Sequence, residues 1–409
     1  MPQKKWSTAL AKTLTAVAMT LILLDSAWAA PKYKVLHAFG AGKDGAGLYG
    51  GLVFDQRGNL YGGSSGGGDY GYGTVFQLSR GRNGAWSERV LRSFRNNDPD
   101  GDEINGSLTV DAVGRVYGGT TFGGGPYTHG TVFEMTPQGQ SWGFRVIHRF
   151  GRNDRAGDPF GGLILDAAGN LYGAGGCAFE LSPEAGGKWK EHILHCFPAY
   201  QGDGSGPYAG VIMEAGRLYG TTERGGAYKA GTVYELRSTS GGWKERVLHS
   251  FPASQYDGQV PGVGALVSDG AGSVYGTTLQ GGRHTCGDVS CGTVFKLTPG
   301  SNGQWAETIL YNFTGNANGS GPGGGLVMDK AGNLYGTTIA GGTGCDCGVV
   351  YELAPGSKGK WKYTVLHRFT GFDGAQPDAN LILDKKGNLY GTTATGGAGG
   401  YGVAFELTP

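Results

Sequence analysis

Between residues 32 and 409 the apolar positions fall in short runs, and no stretch holds a helical period. A typical unit begins with Gly51-Leu52-Val53-Phe54 and turns through Asp55-Gln56-Arg57-Gly58. Asn59-Leu60-Tyr61-Gly62 follows, then a glycine-rich stretch and Gly73-Thr74-Val75-Phe76-Gln77-Leu78. A polar turn then leads to an outer run from Trp86 to Phe94. Short apolar runs bounded by Gly, Asp and Asn read as strands joined by hairpin turns. The glycine of Asp-x-x-Gly supplies the positive φ that such a loop needs.

The unit repeats. A Leu/Val-Tyr-Gly step recurs at Tyr61, Tyr117, Tyr172, Tyr219, Tyr275, Tyr335 and Tyr390. The repeats lie near residues 40–94, 95–150, 151–197, 198–251, 252–313, 314–369 and 370–409, the last completed by residues 32–39. Four antiparallel strands per unit, seven times over, predict an all-β, seven-bladed β-propeller. A straight solenoid is the competing architecture. The final repeat stops after its third strand at Thr408-Pro409, while Tyr33-Lys34-Val35-Leu36-His37-Ala38-Phe39 matches the fourth strand Tyr363–Phe369. That offset predicts a closed ring in which the N-terminal strand completes the last blade and leaves no bare sheet edge. The loops between strands two and three then share one face, called upper here, with the connections between blades. The Asp-x-x-Gly turns lie on the lower face. Small residues such as Gly50-Gly51 and Gly324-Gly325 are expected where first strands crowd the axis.

Residues 1–29 read as a secretory signal, with Lys4, Lys5 and Lys12, an apolar Leu14–Leu24 and a small-x-small step at Ala27-Trp28-Ala29. Export without a lasting membrane anchor, to the periplasm or beyond, is the expectation. The whole chain has 34 basic and 33 acidic residues; losing three Lys and one Asp with the signal leaves a net charge of −1. Such a surface gives phosphate backbones no attracting field, so nucleic acid is not an expected partner. A monomer is expected. Six cysteines in an exported chain favour disulfides. Cys177 with Cys196 and Cys286 with Cys291 are the expected pairs. Cys345 and Cys347 are read as a bridge, a redox-active pair or a soft-metal site.

The run Val-Leu-His-x-Phe, Asp-Gly, Gly-Leu-Val-x-Asp-x-x-Gly-Asn-Leu-Tyr-Gly-Thr-Thr, Gly-Thr-Val-Phe-Glu-Leu-Thr-Pro and Trp-x-Glu resembles the GloVer (Gloeobacter/Verrucomicrobia-type) tandem repeat. The likeness covers residues 32–409 and is closest over 309–409. Blade three departs from it by running straight from Gly173 to Cys177, and blade four shortens its first turn to Glu214-Ala215-Gly216. The resemblance implies an exported bacterial repeat protein and carries over no catalytic residue. The layout is also similar to kelch repeats, by analogy.

The upper loops hold the candidate chemistry. Asp44, Asp100, Asp158, Asp203, Asp257, Asn318 and Asp373 recur there and could ring the upper entrance, or could simply build turns. Asp98, Asp100 and Asp102 alternate as hard-cation ligands do, which makes calcium the one cofactor the sequence suggests. Aromatics that do not repeat, among them Tyr49, Tyr70, Tyr127, Tyr208, Tyr228 and Tyr401, are suited to sugar rings or peptide segments. His37, His148, His195, His249 and His367 share one slot of strand four and read as packing, whereas His129 lies in an upper loop and joins the candidate binding set. The ligand set so expected is Asp44, Tyr70, Asp100, Tyr127, His129, Tyr208, Tyr228, Asp257, Asp373 and Tyr401. The leading functional expectation is a non-enzymatic binding propeller that presents its upper face to a glycan or protein. The alternatives are a propeller enzyme acting on extracellular polymers and a structural component of the cell envelope.

Overall fold

A computed structural model describes residues 30–40, 42–95, 99–125, 129–151, 156–198, 202–252, 257–262, 264–342 and 344–409. The expected export segment 1–29 lies outside them. The chain forms seven antiparallel blades of four strands, and the fifth carries one further short strand, Gly258–Pro261. No helix among the described residues is long and apolar enough to cross a membrane.

The ring closes as expected. The N-terminal strand Lys32–Ala38 pairs antiparallel with Val403–Thr408, from Lys32 opposite Thr408 to Ala38 opposite Val403. Both edges that a linear array would leave bare are thereby paired. The core lies in seven clusters, each shared by two neighbouring blades. Their anchors are the second-strand tyrosine of one blade and the fourth-strand tryptophan of the next. Tyr61 meets Trp142 at 5.8 Å, Tyr117 meets Trp189 at 6.1 Å, and Tyr390 meets Trp86 at 6.4 Å across the closure. Among the described residues Tyr335 has no tryptophan partner because the N-terminal strand supplies that position; Tyr33 packs against its cluster instead.

The innermost strands are shorter than the apolar runs suggest. Blade one contributes only Val53–Phe54, blade two Thr109–Val110 and blade six Val327–Met328. The glycines before them make no ladder because neighbouring blades press directly on their backbones. A Cβ on Gly106 would stand 2.5 Å from the carbonyl oxygen of Gly161, closer than real Cβ atoms come. Only a residue without a side chain fits there.

The lower turns are built one way. Asp329 accepts hydrogen bonds from the backbone N–H of Ala331 (2.8 Å) and Asn333 (2.9 Å), from the Asn333 amide (2.9 Å) and from the Tyr335 hydroxyl (3.1 Å). Asp55, Asp166 and Asp384 repeat this set. One carboxylate thus ties the turn to the barrel of core tyrosines. Three disulfides join Cys177 to Cys196, Cys286 to Cys291 and Cys345 to Cys347. The first links the third and fourth strands of blade three, which lacks the long upper loop of the others.

Candidate functional site

Each first strand enters the axis from the upper face, and the residue three places before its buried leucine or valine stands at the mouth. Around the ring this position is Tyr49, Asn105, Phe160 and Tyr208 in blades one to four, then Gly323 in blade six and Asp378 in blade seven. In blade five the same sequence offset falls on Val263, which lies outside the described residues. Neighbouring glycines keep the strands in contact below it. A cavity of about 290 Å³ opens at this point, bordered by Tyr49, Asn105, Phe160, Tyr208 and Asp378, with Ser107 and Asn380 one layer further in.

The mouth is chemically lopsided. Tyr49 and Tyr208 keep 45% and 38% of their surface exposed, far more than the core tyrosines. Phe160 packs edge-on against Tyr208 at 5.2 Å, so these two rings brace each other. Ser107 and Asn380 are held by the frame: Ser107 Oγ accepts from Gly51 N–H at 2.9 Å, and Asn380 Oδ1 accepts from Gly325 N–H at 2.6 Å. Asn105 donates to Thr121 Oγ1 at 2.9 Å. Asp378 sits over Gly323, in space that a side chain there would fill. Burial pushes its carboxyl above the ordinary range, and no neighbouring charge offsets that cost. It is the one carboxylate among the described residues that line the mouth.

The upper-loop acids expected around this entrance are drawn to the outer rim instead. All but Asp158 face the fourth-strand residue of the preceding blade. Asp44 meets His37 at 3.2 Å, Asp203 meets His195 at 2.9 Å and Asp373 meets His367 at 3.0 Å. Asp100 is held by the guanidinium of Arg92, so a cation already occupies that carboxylate. Asp257 lies beside His249 and Glu307. The alternating calcium set is incomplete here because Asp98 lies outside the described residues; Asp102 is buried and bonds through its backbone to Phe122. His129 meets Asp158 at 3.4 Å above the short loop of blade three. Tyr70 stacks under Arg95 at 4.1 Å at the rim, and Tyr228 and Tyr401 stand exposed on loops of blades four and seven. Tyr127 lies outside the described residues. Of the candidate binding set, Tyr208 alone borders the described mouth.

Sequence reading passed over two groups. Asn105, Phe160 and Asp378 were hidden because they neither repeat nor follow a loop signature. Their signal is the fixed offset from the first-strand leucine. The second group is the glutamate of Trp-x-Glu. Glu88, Glu245 and Glu307 project from the fourth strand of the next blade toward the histidine–aspartate pair. Burial first, and then Asp44, raises the Glu88 carboxyl to about 7. Burial and then Asp203 raise Glu245 to about 7, and burial and then Asp257 raise Glu307 to about 8. These partners are far apart in sequence, and only the seam brings them together.

Comparison with solved structures supports the fold. The chain is similar to the extracellular domain of a B. thetaiotaomicron protein named as the hybrid two component system BT4673, with a TM-score of 0.53 and 14% identity, covering 91% of this chain and 39% of that one. The extracellular domain of BT3049 from the same organism gives 0.51 and 12%, covering 91% of this chain and 41% of that one. The chain therefore spans about two fifths of the length of these structures. No curated protein matches the sequence. The Gloeobacter/Verrucomicrobia repeat matches residues 23–178 and 285–409, and the chain belongs to that repeat family.

Proposed function

We propose that this protein is an exported, non-enzymatic binding propeller whose axial mouth on the upper face holds a glycan. The observation that carries the reading is the mixed ring at one repeat position: Tyr49, Phe160 and Tyr208 beside Asn105 and Asp378. A regular frame needs the same residue at each equivalent place, and here the position changes from blade to blade. The apolar face of a sugar ring stacks on tyrosine or phenylalanine. Its hydroxyls then reach Asn105, Ser107, Asp378 and Asn380. A carboxylate kept half-buried without a countercharge costs stability, which a ligand offering hydroxyl donors recovers. The closed ring holds these groups still, so little ordering is left for binding to impose. Export is supported by the signal-like leader and the three disulfides.

The test is binding of the mature chain to a glycan array beside a peptide array. Glycan binding that falls about tenfold or more in Tyr208→Ala and in Asp378→Asn supports the reading, since a tenfold loss is about 1.4 kcal/mol. Binding confined to peptides would reassign the mouth to a protein partner. Glycan binding that both variants leave intact would move the site elsewhere.

A further inference from the structure

The rim seams carry a second arrangement, separate from the mouth. At the seam of blades three and four, His195, Asp203 and Glu245 offer ligand atoms that all lie within 4.8 Å of one another. At the next seam, His249, Asp257 and Glu307 do the same. In each set the histidine comes from one outer strand, the aspartate from the loop that follows it eight residues on, and the glutamate from the outer strand of the next blade. His195 Nε2 lies 2.9 Å from Asp203 Oδ2, and His249 Nε2 lies 3.4 Å from Glu307 Oε2. Ligands about 2.1 Å from a tetrahedral cation stand about 3.4 Å apart, so small shifts would centre an ion in either set.

Two further observations point to a missing partner. One carboxylate oxygen, Oε1, of both Glu245 and Glu307 is buried and has no hydrogen-bond partner, and neither does Nε2 of His249. Meanwhile Oδ1 of Asp203 and of Asp257 each accepts the backbone N–H of the following glycine at 2.7 Å. That contact fixes each aspartate while its other oxygen stays turned to the cluster. The architecture does not demand these residues. In the glutamate slot blade two has Phe144 under Arg92, blade six has Tyr363 stacked on Tyr311 at 4.0 Å, and the N-terminal strand has Tyr33 stacked on His367 at 3.8 Å.

We propose that these two seams are divalent transition-metal sites, one ion held by His195, Asp203 and Glu245 and the other by His249, Asp257 and Glu307. One imidazole and two carboxylates, with water completing the shell, suit a zinc-class ion better than calcium, which takes an all-oxygen shell of six or more ligands. Each ion would clamp the outer strands of two neighbouring blades together.

The mature chain, stripped with a chelator and dialysed, is titrated with Zn²⁺ by calorimetry, with Ca²⁺ as comparator. The expected stoichiometry is two Zn²⁺ per chain, with Ca²⁺ binding at least tenfold more weakly. Glu307→Tyr installs the residue that the other seams already tolerate and lowers the count to one. Combining it with Glu245→Tyr lowers the count to none, while circular dichroism confirms that both variants remain folded. His249→Ala serves as an independent check and also lowers the count to one. Absence of zinc uptake by the wild type, or a count that does not follow these substitutions in folded protein, overturns the assignment.

Discussion

The lower turns and the upper mouth are built from the same repeat and obey opposite rules. On the lower face Asp55, Asp166, Asp329 and Asp384 make one hydrogen-bond set over and over, because these four blades have the same turn to close. Where blade four lacks the aspartate, Arg217 and Glu235 take over at 2.8 Å and Glu235 reaches the Tyr219 hydroxyl at 3.3 Å. The tyrosine keeps an acidic acceptor by another route. At the mouth, the equivalent position is tyrosine, asparagine, phenylalanine, tyrosine, glycine and aspartate in the six blades where it is described. Recurrence therefore marks what holds the ring, and variation on that fixed frame marks positions the ring does not prescribe, where the proposed recognition site lies.

That contrast gives its largest predicted effect on the lower face. Asp329→Ala strips the acceptor from two backbone donors and an amide, while the buried Tyr335 hydroxyl keeps Glu352 at 3.1 Å. Leaving such donors unpaired is expected to cost about 2 kcal/mol, measured by urea unfolding, with ligand binding unchanged. A variant that unfolds at the wild-type midpoint would break the first half of the comparison.

A smaller effect belongs to the seam of blades seven and one. Glu88 is raised to about 7 by burial and by Asp44, with His37 across the seam and Arg92 on its own strand. Its folded value exceeds its ordinary one of 4.5. The folded state therefore binds this proton more tightly, and the associated stability is full below about pH 4.5 and lost as pH rises through about 7. Glu88→Gln is expected to flatten that fall in a series of unfolding midpoints taken from pH 4 to pH 8. An unchanged slope would show that this carboxyl ionises freely.

The smallest stability change is expected at the mouth. Tyr208→Ala removes a partly exposed ring and should move the unfolding free energy by no more than about 0.5 kcal/mol. Asp378→Asn removes a half-buried carboxylate that no neighbouring charge offsets, and is expected to raise the midpoint slightly. A large loss in either variant would make the mouth part of the frame.

Much of the fold was legible because its cause is local. Tyrosine spacing, Asp-x-x-Gly turns and the leftover strand at Tyr33–Phe39 state the blade count and the closure, and the pairing of Lys32 with Thr408 bears them out. The cysteine pairs of blades three and five were equally plain. The site was less legible. The upper aspartates looked free to ring the entrance, but the histidine or arginine of the preceding outer strand draws them outward through contacts that no local pattern records. Asp378 follows Pro377 and resembles none of the Asp-Gly turns, so nothing in its own neighbourhood marks it. Glu245 and Glu307 gain meaning only from partners in another blade.

The most direct measurement of the central claim compares sugar binding by wild type and by Asp378→Asn and Tyr208→Ala, in protein shown by circular dichroism to be folded. Binding that drops about tenfold or more in both variants is the predicted result. Equal binding in all three proteins would contradict the assignment of recognition to the axial mouth.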